Sequence, residues 1–135
     1  MPIHVFRYKP VQGRLAPIIT VGLKLQELWY PVGIYVDSGA AYTLLHAGIA
    51  QGARFNYRAG HRISVQVGDG SLIPVYLHDL ELQIGPERFL AKVGFSERLG
   101  VPFNLLGRDS VFTRFKICFQ EHRQILSFES EGDHG

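Results

Sequence analysis

Apolar residues recur at every second position along much of this 135-residue chain, a period that fits strands with one buried face and does not fit amphipathic helices. Residues 17–25 place Ile19, Val21, Leu23 and Leu25 on one side, and residues 61–67 do the same with Ile63, Val65 and Val67. Residues 30–36 form a further run, broken by Gly33, that leads straight into Asp37. Between 67 and 72 stands Gly68-Asp69-Gly70-Ser71, a tight-hairpin signal. The return strand, residues 72–84, contains Pro74, which cannot donate to a ladder and so predicts an edge or projecting position. Gly85-Pro86 turns the chain into residues 89–95. Residues 101–106 are apolar and stop at Gly107, and residues 115–119 and 124–128 read as a closing hairpin. Helix is expected only in the Ala-rich residues 46–52 and over residues 108–114. Short strands with one or two small helices predict a mainly β, closed or partly closed barrel.

Length and composition agree with a single domain. The chain has the size of one such unit, and with 46% hydrophobic and 19% charged residues it has material for a core without cross-links. A net charge of +2, with the basic residues scattered, calls for no nucleic-acid partner. Cys118 is the only cysteine, which rules out an intrachain disulfide and a cysteine-rich metal site; lying in an apolar strand, it is expected to be a packed thiol. His4, Arg7 and Lys9 interrupt the start too early for a secretory apolar region, and no stretch approaches the roughly 20 apolar residues of a membrane span. The expectation is a cytoplasmic protein with no membrane contact. Residues 1–14 are set apart as an N-terminal extension, 15–129 form the domain, and 130–135 make a loose polar tail.

Chemistry is concentrated at Asp37-Ser38-Gly39-Ala40, directly after an apolar strand. A carboxylate there can be held in a tight turn beside backbone N–H groups, with the Ser38 hydroxyl bonding in the loop and Gly39 allowing close approach. The same tripeptide also makes an ordinary surface turn. Further along stands Asn104-Leu105-Leu106-Gly107-Arg108-Asp109, two apolar residues and a glycine before an expected helix. In this order, with the glycine hairpin between them, the motifs resemble those of the retropepsin family of aspartic proteases, over about residues 15–129.

That resemblance implies an acid-protease barrel with a flap hairpin and one short C-terminal helix. It makes Asp37 the catalytic carboxylate and puts Ser38 where a hydroxyl links two catalytic loops. Gly39 and Ala40 shape the loop, and Leu105, Leu106 and Gly107 brace it. Val67, Gly68, Asp69, Gly70 and Ser71 form the flap that closes over a polypeptide substrate. No cofactor and no metal are implied.

The chemistry of the family needs two carboxylates sharing one proton, and this chain has one Asp-Ser/Thr-Gly. Asp109 precedes Ser110, but Val111 stands where the glycine would be. A second copy related by a two-fold axis would supply the missing Asp37, so a homodimer is the expected active form. Two departures from the retroviral pattern stand out. Ala41 occupies the place of an acidic residue that normally pairs with the arginine here numbered Arg108, and the closing hairpin extends beyond the usual retroviral end, as in cellular retropepsin-like domains. Residues 124–129 are expected to contribute to a dimer interface. The six histidines, scattered along the chain, show no metal-ligand spacing, and Ser38 lacks the Gly-x-Ser-x-Gly context of a hydrolase nucleophile. The alternative from another class is a retropepsin fold kept as a non-catalytic binding or assembly module.

Overall fold

In the computed structural model, which describes residues 2–131, the alternating residues of Ile18–Leu25 (β4) turn inward as their period requires: Ile19, Val21, Leu23 and Leu25 are all buried. Leu28–Val36 (β5) returns antiparallel and adds Val32, Ile34 and Val36 to the same core. Thr43–His46 (β6) leads into the short helix Ala47–Gly52 (α1), whose Ala47 and Ala50 are buried. His61–Gln66 (β7) and Leu72–Ile84 (β8) form the long hairpin around the glycine turn, and Glu87–Ser96 (β9) follows after Gly85-Pro86. Of the apolar stretch at 101–106, only Asn104–Leu106 (β10) pairs as a strand.

Hydrogen bonding runs in the order β4-β5-β10-β6-β9-β8-β7, and β4 also pairs with β8 through Gly22↔Gln83 and Leu23↔Leu82. That last pairing closes a 6-strand barrel and leaves β7 outside it, attached to β8 alone. Along β8, residues from Tyr76 onward pair with β9, whereas Leu72 to Leu77 pair with β7. The β7–β8 tip therefore projects beyond the barrel, and Pro74, opposite Ser64, sits in the projecting part where its missing N–H costs no barrel bond. A large core fills the barrel, with Phe95, Ile34, Leu45, Leu82 and Leu106 fully buried in it, and a smaller cluster of Leu44, Ile73, Val75 and Leu99 lies beneath the projecting hairpin.

A second sheet caps the barrel. Phe115–Gln120 (β11) and Ile125–Ser130 (β12) make the closing hairpin, and Ile3–Arg7 (β1) adds to the other edge of β12 in the register Ile3↔Glu129 to Arg7↔Ile125. Phe6 meets Phe128 edge-on at 5.4 Å, Phe128 meets Phe115, and Tyr8 is only 6% exposed, so residues 3–8 of the segment set apart as an extension are packed against the core. Lys9–Val11 (β2) and Arg14–Ala16 (β3) form a small separate hairpin. Ser130 ends β12, and residues 132–135 of the expected tail lie outside the described residues.

Two local expectations change. Residues 108–114 do not form two regular helical turns. Arg108–Phe112 is one irregular turn in which Asp109 and Ser110 leave helical dihedrals, Ser110 at φ 68°. The segment is tied instead to neighbouring elements: Arg108 N–H bonds Ala40 O, Asp109 N–H bonds Ala41 O, and the Ser110 hydroxyl accepts from Lys92 N–H at 3.1 Å. Cys118 is not packed either; it lies on the outward side of β11 and is exposed.

Candidate active site

Asp37 is the first residue past β5, and its own N–H is held by Leu106 O at 3.0 Å. Its backbone carbonyl accepts from Ala40 N–H at 3.2 Å, and its carboxylate Oδ1 accepts from Gly39 N–H at 2.8 Å. The loop Asp37-Ser38-Gly39-Ala40 is thus a closed turn that points a carboxylate outward while fixing its base. β10 runs parallel to β5, pairing Leu105 with Tyr35 and Leu106 with Val36, and antiparallel to β6 through Leu105↔Leu44. The apolar-apolar-Gly segment therefore buttresses the loop through the backbone.

Gly107 is the tightest point of that brace. A Cβ placed there would lie 2.2 Å from the carbonyl oxygen of Tyr42, so no side chain fits. Its N–H donates to the Thr43 hydroxyl at 3.2 Å, and Thr43 is fully buried. The following amides of Arg108 and Asp109 bond Ala40 and Ala41, each at 2.9 Å. Leu106, Gly107, Arg108 and Asp109 together hold both ends of the aspartate loop.

Above the loop lies a cleft of about 880 Å³. Its floor includes Asp37, Gly39 and Ala40, and Val65, Val67 and Gly68 of the projecting hairpin line it from the other side. The hairpin tip is internally fixed: Val67 N–H donates to Ser71 O and Gly70 N–H to Val67 O, both at 2.9 Å, with Gly70 at φ +87°. Asp69 accepts from Ser71 N–H at 2.9 Å and from the Ser71 hydroxyl at 2.5 Å. The hydroxyl bond first, and then the amide bond, hold its carboxyl below the usual carboxylate range.

The expected site residues thus fall together: Asp37, Gly39, Ala40, Leu105, Val67 and Gly68 all line the one cleft. Asp69, Gly70 and Ser71 form the tip beyond it, Leu106 and Gly107 stand behind, and Ser38 is exposed with no hydrogen-bond partner within the described residues. Arg108 is exposed with no carboxylate partner among the described residues; Asp109 instead accepts from Ser110. Trp29 lies outside the cleft, against Gly22 and beneath the Arg88 guanidinium. Sequence reasoning overlooked three aromatic residues. Tyr35 and Phe103 stack at 4.8 Å in the cleft wall, and Tyr42 joins them. Alternation held the clue to Tyr35, because it must face away from its buried neighbours Ile34 and Val36.

No protein-family model and no curated protein matches the chain. Solved structures do match it by shape. A retropepsin-like aspartic protease from Rickettsia conorii superposes with a TM-score of 0.68 at 18% identity, over 94% of this chain and 91% of the other. The EIAV protease in complex with the inhibitor HBY-793 superposes with a TM-score of 0.55 at 17% identity, over 78% of this chain and 93% of the other. With its closed barrel, braced aspartate loop and projecting hairpin, the chain has the retropepsin-like fold of these aspartic proteases.

Proposed function

We propose that this chain is an aspartic endopeptidase that works as a homodimer, with one Asp37 from each copy. One observation carries the proposal: a carboxylate held at its base by three backbone bonds stands on the floor of a cleft roofed by a hairpin. Two such carboxylates about 3 Å apart cannot both be ionised, so the pair keeps one proton. The ionised member takes a proton from water, the water attacks the peptide carbonyl, and the protonated member gives its proton to the developing oxyanion. The apparent pKa values belong to the pair. Gly39 N–H engages Oδ1, and in this reading the Ser38 hydroxyl, which has no hydrogen-bond partner among the described residues, bonds the partner's loop.

An extended polypeptide fits between floor and hairpin, its backbone pairing with strand edges as in other peptide-binding sheets. The substrate enters under residues 67–71, which act as the flap. The reaction as proposed uses no cofactor. No helix among the described residues is long and apolar enough to cross a membrane.

The test is cleavage of an unstructured protein by the purified chain, with and without Asp37→Asn. The parent is expected to cut and to be blocked by a hydroxyl-containing transition-state mimic. The variant should lose at least a thousand-fold in rate with an unchanged circular dichroism spectrum. Equal cutting by Asp37→Asn would end the proposal.

A further inference from the structure

Residues 97–103 connect β9 to β10 and present Leu99, Val101 and Phe103 to the cleft. Among the described residues, none of the backbone–backbone bonds of turns and loops involves residues 98–102. A cleft wall without such bonds stands where its side chains hold it. Three of them do so. Leu99 is buried with Ile73 and Val75 beneath the projecting hairpin, Phe103 stacks on Tyr35, and Glu97 fastens the end nearest β9.

Glu97 reaches across to the single turn Tyr57–Ala59, which leads into β7. Its Oε1 accepts from the Tyr57 hydroxyl and from Arg58 Nη2, the latter at 2.5 Å. The turn is a fixed post. Tyr57 is 5% exposed and packs against Tyr76 at 5.7 Å and Phe95 at 6.1 Å, and the Arg58 guanidinium lies over its ring. His78 of β8 donates from Nε2 to Tyr57 O at 2.6 Å, and a Cβ at Gly60 would run into the His78 ring and Leu77 O.

An exposed arginine–carboxylate pair by itself holds little, because two long side chains must be ordered to make it. The Tyr57 hydroxyl differs, since burial has already ordered its ring and only Glu97 has freedom to lose. Chiefly through that bond, the Glu97 carboxyl lies below its ordinary value, so an ionised acceptor is present at neutral pH.

We infer that Glu97 is a positioning residue for the peptide-binding cleft: clasped by Tyr57, it ties residues 97–103 to the foot of the β7–β8 hairpin and so fixes the wall formed by Leu99, Val101 and Phe103. The inference rests on the proposed peptidase reading for what occupies the cleft, and on geometry alone for the clasp. The Asp37 loop is held separately, by Leu106, Arg108 and Asp109. Losing the clasp therefore weakens the grip on substrate and spares the chemical step.

The experiment compares the parent with Glu97→Ala, Glu97→Gln and Tyr57→Phe, and with Glu81→Ala as a control at an ion pair elsewhere on the barrel. Glu97 is exposed, and Tyr57→Phe keeps the buried ring in place. NMR reads the wall directly. Stacking on Tyr35 displaces the Phe103 ring protons upfield, and Glu97→Ala and Tyr57→Phe should each reduce that displacement by at least half. Glu97→Gln, which keeps an oxygen at the same reach, should restore it, and Glu81→Ala should leave it as in the parent. With a peptide spanning a site at which the parent cuts, Glu97→Ala and Tyr57→Phe should raise KM at least five-fold and keep kcat within two-fold. The inference is overturned by a Phe103 signal that Glu97→Ala does not move, by an equal change in Glu81→Ala, by Glu97→Gln no better than Glu97→Ala, or by a loss confined to kcat. A peptidase indifferent to Glu97 removes this inference and leaves the protease proposal intact. A Phe103 signal that depends on Glu97 in a protein that never cleaves does the reverse.

Discussion

At the scale of the residue, Gly107 and Gly48 make opposite predictions from the same substitution. A methyl group at Gly107 meets the backbone of Tyr42, at 2.2 Å from its carbonyl oxygen, and both sides of that contact are tied to the aspartate loop. Neither can give way cheaply, so Gly107→Ala is expected to cost about 3 kcal/mol, at the upper end of ordinary overpacking. Gly48 lies in α1, and a methyl group there would have nothing within 4 Å, so Gly48→Ala should stabilise by about 0.5–1 kcal/mol through helix propensity. Urea unfolding of the two variants checks both signs. Tyr8 gives a pH test. Burial, then its bond to Glu121, pushes its phenol up to about 12. The folded chain holds this proton more tightly than the unfolded chain, so the contribution is complete below pH of about 10 and is lost as pH rises from there toward 12. Tyr8→Phe should flatten that alkaline loss in a series of melting temperatures.

The β7–β8 hairpin and the brace of the aspartate loop are the elements on which the proposed function depends, and they are unequally legible in the sequence. Period-two alternation with a glycine turn is enough to place the projecting hairpin, since Ile63, Val65 and Pro74 allow few other arrangements. The aspartate loop is found by its motif and its spacing from Leu105-Leu106-Gly107. Arg108–Phe112 reads wrongly as regular helix because propensity says nothing of tertiary bonds such as those of Asp109 to Ala41 and of Ser110 to Lys92. β1 escapes notice because Ile3–Arg7 alternates with His4 and Arg7 in it, and only its register on β12 shows which face is inward. Tyr35 does not stand out as a wall residue because the cleft exists only once the β7–β8 hairpin and β10 surround it. The hairpin tip carries its own prediction. The Asp69 carboxylate accepts from Ser71 most strongly when ionised, and its pKa lies below the usual range, so the turn is held above that range and is loosened as pH falls through the lowered value. The protection factor of the Ser71 amide, followed by NMR against the intrinsic exchange rate, should fall on acidification through that value, and Asp69→Ala should lack the protection throughout.

For the whole molecule, the closed barrel and the capping sheet depend on contacts between residues far apart in sequence. β1 covers the edge of β12, and Phe6 packs on Phe128. Removing residues 2–7 is therefore expected to destabilise the chain by about 3 kcal/mol for the lost aromatic packing alone, and to leave a bare strand edge that promotes aggregation. Thermal unfolding and light scattering of the shortened chain against the parent measure the two effects separately; a shortened chain as stable and as soluble as the parent would contradict both.

The pairing of Ile3 with Glu129 also sets a timetable. During synthesis β1 emerges first and its partner β12 more than a hundred residues later, so the barrel strands between them can pair while the capping sheet cannot. The aspartate loop waits as well, since Leu106, Arg108 and Asp109, which hold it, are made only shortly before β12. At about 5–20 residues per second, the interval between β1 and β12 lasts roughly 6–24 s, during which Ile3, Val5 and Phe6 are open to chaperones.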